Sequence, residues 1–193
     1  MRREISDLRR HLDPSRRAEI GEAVARHVLA WSRLRPGRRV ILHAALPDEV
    51  PTLGLLRALL HRGHEVLLPR AGGAGRLEFA RVVDPSLLFV GRFGALEPPV
   101  GEPARALAQE DLVLLPGVAF DRSGARLGRG RGWYDRSLPS EVQDVFGIAF
   151  EFQLVERVPV DAWDRRVRGV FTEAGLRHCD LGARIREPST DPS

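Results

Sequence analysis

The chain has 193 residues, of which 30 are basic, 26 are acidic and 43% are hydrophobic. This length and this balance are those of one globular domain, and they exclude disorder along the whole chain. A single cysteine, Cys179, excludes an internal disulfide and a thiolate zinc site, and the absence of lysine excludes Schiff-base chemistry and lysine-based phosphate loops.

The location and the kind of partner also follow from composition. No stretch reaches the roughly 18 apolar residues that a membrane-spanning helix needs, and the N-terminus lacks the apolar block of a secretory signal. We therefore expect a cytoplasmic protein with no membrane partner. The net charge of +4 is modest, and it favours anionic small molecules over nucleic acid. We expect a monomer that acts on a small-molecule substrate.

The first third of the sequence predicts two helices followed by a β-α-β unit. Apolar residues recur at helical spacing as far as Trp31, and Asp13 followed by Pro14 is typical of a helix start. Gly63 is typical of the residue that follows a helix. After the second helix the pattern predicts, in chain order, a strand, a helix and a strand: residues 39–44, 52–61 and 65–68.

The rest of the sequence completes an α/β pattern. Alternation and apolar runs predict four further strands: residues 77–82, 111–115, 145–150 and 168–172. The stretch 84–110 is rich in loops, with at most one short helix before Asp111. Strands interleaved with helices predict an α/β fold with a mostly parallel sheet covered on both faces. We expect one domain over residues 1–185 and a disordered tail over 186–193.

The most specific chemistry lies between Pro116 and Arg136, directly after a predicted strand. Three glycines and two arginines alternate at its centre: Gly128, Arg129, Gly130, Arg131 and Gly132. Glycines allow backbone conformations that bring consecutive amides close to an anion, and guanidinium groups, including that of Arg126, bind phosphate oxygens in pairs. A helix that opens at Trp133 would direct further free amides at the same anion. The segment therefore favours a phosphate site.

Three other interpretations of this segment compete with a nucleotide site. The spacing G-x-G-x-G differs from the G-x-G-x-x-G of a dinucleotide fingerprint, and we exclude that motif. An RNA-binding segment of the Arg-Gly type and a surface loop without a ligand stay open, because spacing alone does not separate them from an anion site.

Several stretches, in the same order along the chain, resemble the 5-formyltetrahydrofolate cyclo-ligase family, also called methenyltetrahydrofolate synthetases. They are residues 47–52, 68–70, 94–98, 115–121, 126–136 and 147–150, with Gln153. The resemblance implies a three-layer α/β/α domain of the sugar-isomerase and CoA-transferase-like architecture. It also implies an enzyme that uses ATP and magnesium to convert 5-formyltetrahydrofolate into 5,10-methenyltetrahydrofolate, with release of ADP and phosphate.

The resemblance also assigns residues to ATP. The stretch that would hold ATP comprises Arg126, Leu127, Gly128, Arg129, Gly130, Arg131, Gly132, Trp133 and Tyr134. Within this stretch, the resemblance implies that Arg126, Arg129 and Tyr134 take part in catalysis. Transfer of a phosphoryl group requires mainly positioning and charge neutralisation, which arginines and backbone amides supply without a lysine.

Metal and folate contacts follow from the same resemblance. Asp135 is expected to bind magnesium, Glu49 to hydrogen-bond the pterin ring, and Trp133 to pack on the folate. Each residue has a plainer alternative. Asp135 is otherwise a helix acid paired with Arg136 or with the helix dipole, Glu49 a solvated loop carboxylate, and Trp133 an aromatic residue of the core.

The chain departs from the family's pattern towards both ends. The family's Lys and Arg that contact ATP have no clear counterparts among the arginines of the first helix: Arg2, Arg3, Arg9 and Arg10. Arg168 stands where a second acidic magnesium ligand is usual, and Trp163 replaces the histidine before Asp164. The resemblance implies that Arg168 lies near Asp135. These departures leave open a family relative that binds a nucleotide or a folate without this catalysis.

Overall fold

The computed structural model of the chain describes residues 1–159 and 165–181. The expected tail over 186–193, the expected domain boundary at 185, and residues Trp163 and Asp164 lie outside these ranges. The described part forms four α-helices: α1 (Arg2–His11), α2 (Pro14–Ala30), α3 (Leu53–His61) and α4 (Trp133–Ser137). Among these described helices, none is both long and apolar enough to span a bilayer.

The helix boundaries agree with the capping residues of the sequence. A carboxylate oxygen of Asp13 accepts hydrogen bonds from the backbone amides of Ser15 at 2.9 Å and Arg16 at 3.1 Å, and α2 begins there. Gly63, two residues after α3, has a φ of 78°, which glycine adopts without steric cost. These positions confirm the predicted ends of the two helices.

Twelve strands are present in the described ranges. In chain order they are β1 (Val40–Ile41), β2 (Val66–Ala71), β3 (Leu77–Arg81), β4 (Phe89–Val90), β5 (Leu96–Glu97), β6 (Leu112–Pro116), β7 (Ala119–Asp121), β8 (Arg126–Leu127), β9 (Asp144–Ile148), β10 (Leu154–Val155), β11 (Gly169–Thr172) and β12 (Gly175–His178).

Seven of these strands form the central sheet, in the order β12-β11-β9-β6-β1-β2-β3. The five inner strands are parallel to one another, whereas the outermost strands, β12 and β3, pair antiparallel with β11 and β2. The predicted α/β fold with a mostly parallel sheet is confirmed. Two smaller sheets flank it, one of β10, β7 and β8 and one of β4 and β5.

Alternate residues of the inner strands point to opposite faces of the sheet, and both faces are buried. Val40, Leu112 and Phe146 belong to the core shared with helices α2 and α3. Their neighbours in sequence pack on the other face, where Phe120 of β7 and Leu138 after α4 complete a second core with Ile41, Val113 and Val145. The continuous apolar runs of the sequence reflect this double burial.

Two expected elements differ in extent or place from the prediction. The strand expected over 39–44 is shorter, with ladder pairs at Val40 and Ile41 and one more hydrogen bond, from the Leu42 amide to the Leu67 carbonyl oxygen. The one short helix expected in the stretch 84–110 is a 3-10 turn at Pro85–Leu87, and the β4-β5 hairpin follows it. Strands β1 and β6 are parallel, so the segments that follow them start at the same end of the sheet. The candidate site lies at this end.

Candidate functional site

A cavity of about 350 Å³ lies at the carboxyl ends of β1, β2 and β6. Ligand sites of open α/β sheets lie at this edge, and their volumes run from roughly 300 to 1,000 Å³. Three segments supply most of the cavity lining, namely residues 43–49, 93–97 and 126–135, and the rest comes from Pro69, Arg70, Leu77, Pro116 and Gly117. The glycine and arginine segment predicted from the sequence thus forms one of its walls.

The backbone of this wall uses glycine where other residues would be strained. Gly130 has a φ of 88° and Gly132 a φ of 58°, both in the left-handed region. Helix α4 starts at Trp133, as predicted. The guanidinium of Arg2, in the N-terminal helix α1, lies beside Gly130. A Cβ placed on that glycine would be 3.7 Å from Arg2 Nη1.

Arg126 and Asp135, predicted for ATP and magnesium respectively, are bound to each other. Arg126 Nη2 donates to Asp135 Oδ1 at 2.8 Å and to Oδ2 at 2.9 Å, and both side chains are largely buried. The alternative pairing of Asp135 with Arg136 is wrong, because the Arg136 guanidinium donates to the backbone carbonyls of Gly75 and Arg131.

The described residues do not fit a preformed magnesium site. Over residues 1–159 and 165–181, no three side chains of His, Cys, Asp or Glu cluster as metal ligands. Magnesium requires free oxygen ligands, and both Asp135 oxygens already accept bonds from an arginine. Magnesium binding by Asp135 therefore stays a prediction that this geometry does not support.

Arg168 lies elsewhere than the resemblance implies. Its Nη1 is 3.6 Å from Asp144 Oδ1, and Arg33 and Arg38 bind the same carboxylate. Asp144 is the first residue of β9, whereas the cavity lies at the carboxyl ends of the neighbouring parallel strands. The expected contact between Arg168 and Asp135 is not found. Arg168 directly precedes β11, so its side chain lies at the amino ends of the parallel strands, next to Asp144.

Glu49 is a buried residue of the cavity wall, and the alternative of a solvated loop carboxylate is wrong. Its side chain is only 8% exposed. Oε2 accepts from the amide of Leu46 at 3.0 Å, and Oε1 accepts from Arg129 Nη2 at 3.1 Å and from Arg9 Nη2 at 3.5 Å. The neighbouring Asp48 accepts from the same two arginines.

His43 is a cavity residue that the sequence reasoning missed. It is 3% exposed, and its Nε2 lies 4.0 Å from Glu49 Oε2. Nδ1 lies 3.3 Å from the carbonyl oxygen of Leu114, which only accepts, so Nδ1 carries the proton of the neutral ring. Burial lowers the pKa of His43, and among the described residues Nε2 has no hydrogen-bond partner. A histidine inside an otherwise apolar run was the available indication.

Aromatic side chains form another part of the cavity wall. The rings of Trp133 and Phe93 meet edge to face with centroids 5.2 Å apart. The Arg126 guanidinium lies 5.8 Å from the ring centroid of Tyr134. Burial, together with the Glu49 carboxylate, raises the pKa of the Tyr134 hydroxyl, so this group stays protonated and can donate a hydrogen bond. Trp133 is thus at the cavity and half-buried, and not in the core.

Arg9 of α1 is one of the four N-terminal arginines that the sequence left without an assigned contact. Its side chain is 1% exposed, although it is charged and lies on the N-terminal helix. It reaches Asp48 and Glu49, and it also lies 3.4 Å from the carbonyl oxygen of Gly117, which follows β6. The alternation of charged and apolar residues in α1 gave no sign of this contact, since Arg10 beside it has the same chemistry and is exposed.

Comparison with known proteins gives consistent matches along the chain. The model of the 5-formyltetrahydrofolate cyclo-ligase family matches residues 1–173. A 5-formyltetrahydrofolate cyclo-ligase of Mycolicibacterium smegmatis is 34% identical over 183 residues, which cover 88% of this chain and 94% of the relative. A protein of the same name from Escherichia coli is 33% identical over 175 residues, with 87% and 96% covered.

Solved structures give the same picture. The NMR structure of Aquifex aeolicus 5,10-methenyltetrahydrofolate synthetase matches with a TM-score of 0.78 and 30% identity, over 98% of this chain and 96% of that one. A 5,10-methenyltetrahydrofolate synthetase of Mycoplasma pneumoniae matches with a TM-score of 0.68 over 89% and 96% of the two chains. At 19% identity, this second match supports the fold alone.

Proposed function

Because the chain belongs to the 5-formyltetrahydrofolate cyclo-ligase family, we propose that it converts 5-formyltetrahydrofolate into 5,10-methenyltetrahydrofolate, consuming ATP and releasing ADP and phosphate. One observation carries the finer part of the proposal. Arg129 of the glycine and arginine segment and the buried Glu49 border the same cavity, 3.1 Å apart. A group suited to phosphate and a group suited to ring N–H donors therefore meet where two substrates would react.

The chemistry requires activation of a poor leaving group. In the proposed reaction the formyl oxygen attacks the γ-phosphorus of ATP, the bond between the β- and γ-phosphates breaks, and ADP leaves. The resulting iminium phosphate is attacked at carbon by N10, which forms the new C–N bond. Loss of the N10 proton and of phosphate then gives the methenyl product. The protein's part in such a transfer is mainly positioning and electrostatic stabilisation.

Side chains of the cavity match these demands. We assign the phosphates of ATP to the segment from Arg126 to Tyr134, with catalytic roles for Arg126, Arg129 and Tyr134. The two guanidinium groups neutralise charge as the phosphoryl group moves. The Tyr134 hydroxyl, kept protonated by its surroundings, donates a hydrogen bond. The N-terminal arginine that lies beside this segment is Arg2, and we assign it to the phosphates as well.

We assign the folate contacts to Glu49 and Trp133, which border the same cavity from two different segments. Glu49 is buried and held in place by donors from three segments, so its carboxylate is oriented before a ligand arrives. Carboxylates accept hydrogen bonds from the ring N–H groups of a pterin. Trp133 borders the same cavity and offers an aromatic face to the folate.

Magnesium dependence is kept in the proposal without a protein-held metal. No step is assigned to such a metal, because Arg126 occupies both oxygens of Asp135. The magnesium concentration for half-maximal activity, measured in the wild type and in Asp135→Asn, tests the assignment. An unchanged requirement in the variant supports the ion pair as the role of Asp135, and a raised requirement would return Asp135 to the metal.

The test of the function is the appearance of the near-ultraviolet absorbance of the methenyl product after 5-formyltetrahydrofolate is added. We expect this absorbance with ATP present and none without it. Glu49→Gln and Arg129→Ala should both slow the reaction. Binding of ATP or of the folate without any product would favour the second candidate, a family relative without this catalysis. The mutual occupation of Arg126 and Asp135 is the observation behind that candidate.

Four further predictions accompany the proposal. We propose a cytoplasmic enzyme, a monomer, and a single domain over residues 1–185. We propose no nucleic-acid partner, because the net charge of +4 is modest and the arginines of the segment border a cavity of about 350 Å³, a size that suits small molecules. Gel filtration and a nucleic-acid binding assay with the purified protein test these statements.

A further inference from the structure

Arg9 joins the N-terminal helix to the wall of the cavity through four contacts. Its Nε donates to the carbonyl oxygen of Asp48 at 2.9 Å, and its Nη2 donates to Asp48 Oδ2 at 2.6 Å. The same Nη2 lies 3.5 Å from Glu49 Oε1, and Nη1 lies 3.4 Å from the carbonyl oxygen of Gly117. One planar guanidinium thus fixes both the backbone and the carboxylates of the segment that carries Glu49.

The burial of Arg9 separates it from the other arginine at these carboxylates. Arg129 contacts Asp48 and Glu49 as well, but its side chain is 50% exposed and belongs to the glycine-containing wall. The Arg9 side chain is 1% exposed and comes from a helix. A phosphate that arrives in the cavity can draw Arg129 away from Glu49, whereas Arg9 has no such freedom.

We propose that Arg9 is a positioning residue, which holds the Glu49 carboxylate in the orientation that receives the reduced folate. The inference rests on the proposed role of Glu49 in folate binding. It assigns no phosphate contact to Arg9, because two of its nitrogens are committed to Asp48 and its side chain is almost without access to the cavity. Arg9 therefore acts on the folate through Glu49.

The experiment compares Arg9 with its neighbour in sequence. Arg9→Met removes the charge and keeps most of the stem, Arg9→Lys keeps the charge without the fork, and Arg10→Met is the matched control on the exposed side of α1. Calorimetry gives the affinity for 5-formyltetrahydrofolate, and initial rates give the KM for ATP. We expect the affinity for the folate to fall about tenfold or more in Arg9→Met and by less in Arg9→Lys, because charged hydrogen bonds are strong.

The KM for ATP should change by less than about twofold in both variants, because Arg9 is proposed to make no contact with ATP. Loss of one charged contact with ATP would have a much larger effect. Arg10→Met should match the wild type in both measurements. Unchanged folate affinity in Arg9→Met, or an equal loss for ATP, would overturn the proposal. If Arg9→Met does not fold, as thermal unfolding will reveal, Arg9→Lys decides: folate affinity equal to that of the wild type overturns the proposal.

A double-mutant cycle separates a route through Glu49 from a general structural effect. Adding Arg9→Met to Glu49→Gln should weaken folate binding little further, because the carboxylate that Arg9 positions is already gone. Additive losses would overturn the proposal. Wild-type protein that binds the folate but forms no methenyl product would refute the proposed function alone. Wild-type protein that binds no folate would refute both.

Discussion

His43 places a neutral imidazole beside a carboxylate in the interior of the molecule. Burial lowers its pKa below the ordinary 6.5, against the opposing effect of Glu49. Below about pH 6.5 the unfolded chain therefore takes up a proton that the folded chain takes up only at lower pH. The folded state loses stability as the pH falls through this window, by at most about 1.4 kcal/mol per pH unit for one such group.

We predict that His43→Gln flattens this dependence. The free energy of unfolding, measured with urea at pH 7, 6 and 5, should fall less steeply in the variant than in the wild type. His61→Gln is the control, since His61 is exposed at the end of α3 and is outside the cavity. Parallel curves for the wild type and His43→Gln would contradict the prediction.

Gly130 has a backbone conformation that its substitution would disturb, with an effect on ATP binding that can be measured. A β-branched side chain at its φ of 88° is strongly disfavoured, and strain of this kind is about 1–3 kcal/mol. We predict that Gly130→Val lowers ATP affinity by about tenfold or more while the chain still folds, because the wall must leave its present backbone conformation. Calorimetry with ATP measures the change.

The control for this change is Gly101→Val. Gly101 is exposed, has no positive φ, and has open space where a Cβ would lie. Its substitution should leave ATP affinity as in the wild type. Equal ATP affinity for Gly130→Val and the wild type would mean that this wall does not hold the nucleotide.

A residue of the site could be predicted from the sequence where the residues around it form a recognisable motif, and not where its role depends on distant contacts. The glycine and arginine segment is a local pattern, whereas Glu49 followed from the resemblance to the family, and both border the cavity. Arg9 contacts residues 39, 40 and 108 positions away, so nothing near it in sequence indicates its burial. The pairing of Arg126 with Asp135 spans only 9 positions, but spacing does not reveal whether two opposite charges bind each other or a ligand.

At the scale of elements, Phe120 of β7 depends on two glycines. A Cβ on Gly147 in β9 would lie 2.6 Å from the Phe120 ring, and one on Gly117 would lie 2.5 Å from it. Both distances are far below van der Waals contact. The missing side chains at these two positions let β7 lie close against the carboxyl ends of β6 and β9, next to the cavity.

We predict that Gly147→Ala destabilises the fold by about 1–3 kcal/mol, the usual cost of overpacking a core. Gly54→Ala is the opposite case, because Gly54 lies inside α3 and nothing is within 4 Å of its Cβ position. That variant should gain about 0.5–1 kcal/mol, since alanine favours a helix over glycine. Urea denaturation measures both. A Gly147→Ala variant as stable as the wild type would mean that Phe120 is free to move aside.

The long elements were predictable, and the shortest were not. Helix α2 follows from its helical periodicity, and strands β6 and β9 follow from apolar runs of about five residues. Strands β8 and β10 have two residues each, too few for an alternation to be recognised. Strand β12 was missed because Leu176 is the one large apolar residue among its four residues, beside Arg177 and His178, as is usual at an exposed edge.

On the scale of the whole molecule, the amino and carboxyl ends of the central parallel strands have separate charge clusters. Asp144 with its arginines is at the amino end of β9, and the cavity is at the carboxyl end of the strands. Five residues of strand put roughly 13 Å between these ends. Arg168 belongs to the first cluster, and its side chain is 40% exposed.

We predict that Arg168→Ala lowers the free energy of unfolding by less than about 1 kcal/mol, as exposed ion pairs do. The KM for ATP and the magnesium requirement should match those of the wild type. Arg126→Ala, in the cavity wall, is the comparison and should raise the KM for ATP. A changed magnesium requirement in Arg168→Ala would contradict the separation of the two clusters.

The contact of Arg129 with Asp48 and Glu49 makes the two halves of the cavity thermodynamically dependent on each other. If phosphates draw this guanidinium away, Glu49 is relieved of one donor and is freer to accept from a pterin. If the pterin arrives first, Arg129 is released toward the phosphates. By linkage, each ligand then raises the affinity for the other by the same factor. On the proposed assignments, the ion pair between Arg129 and Glu49 is therefore expected to produce positive cooperativity between ATP and the folate.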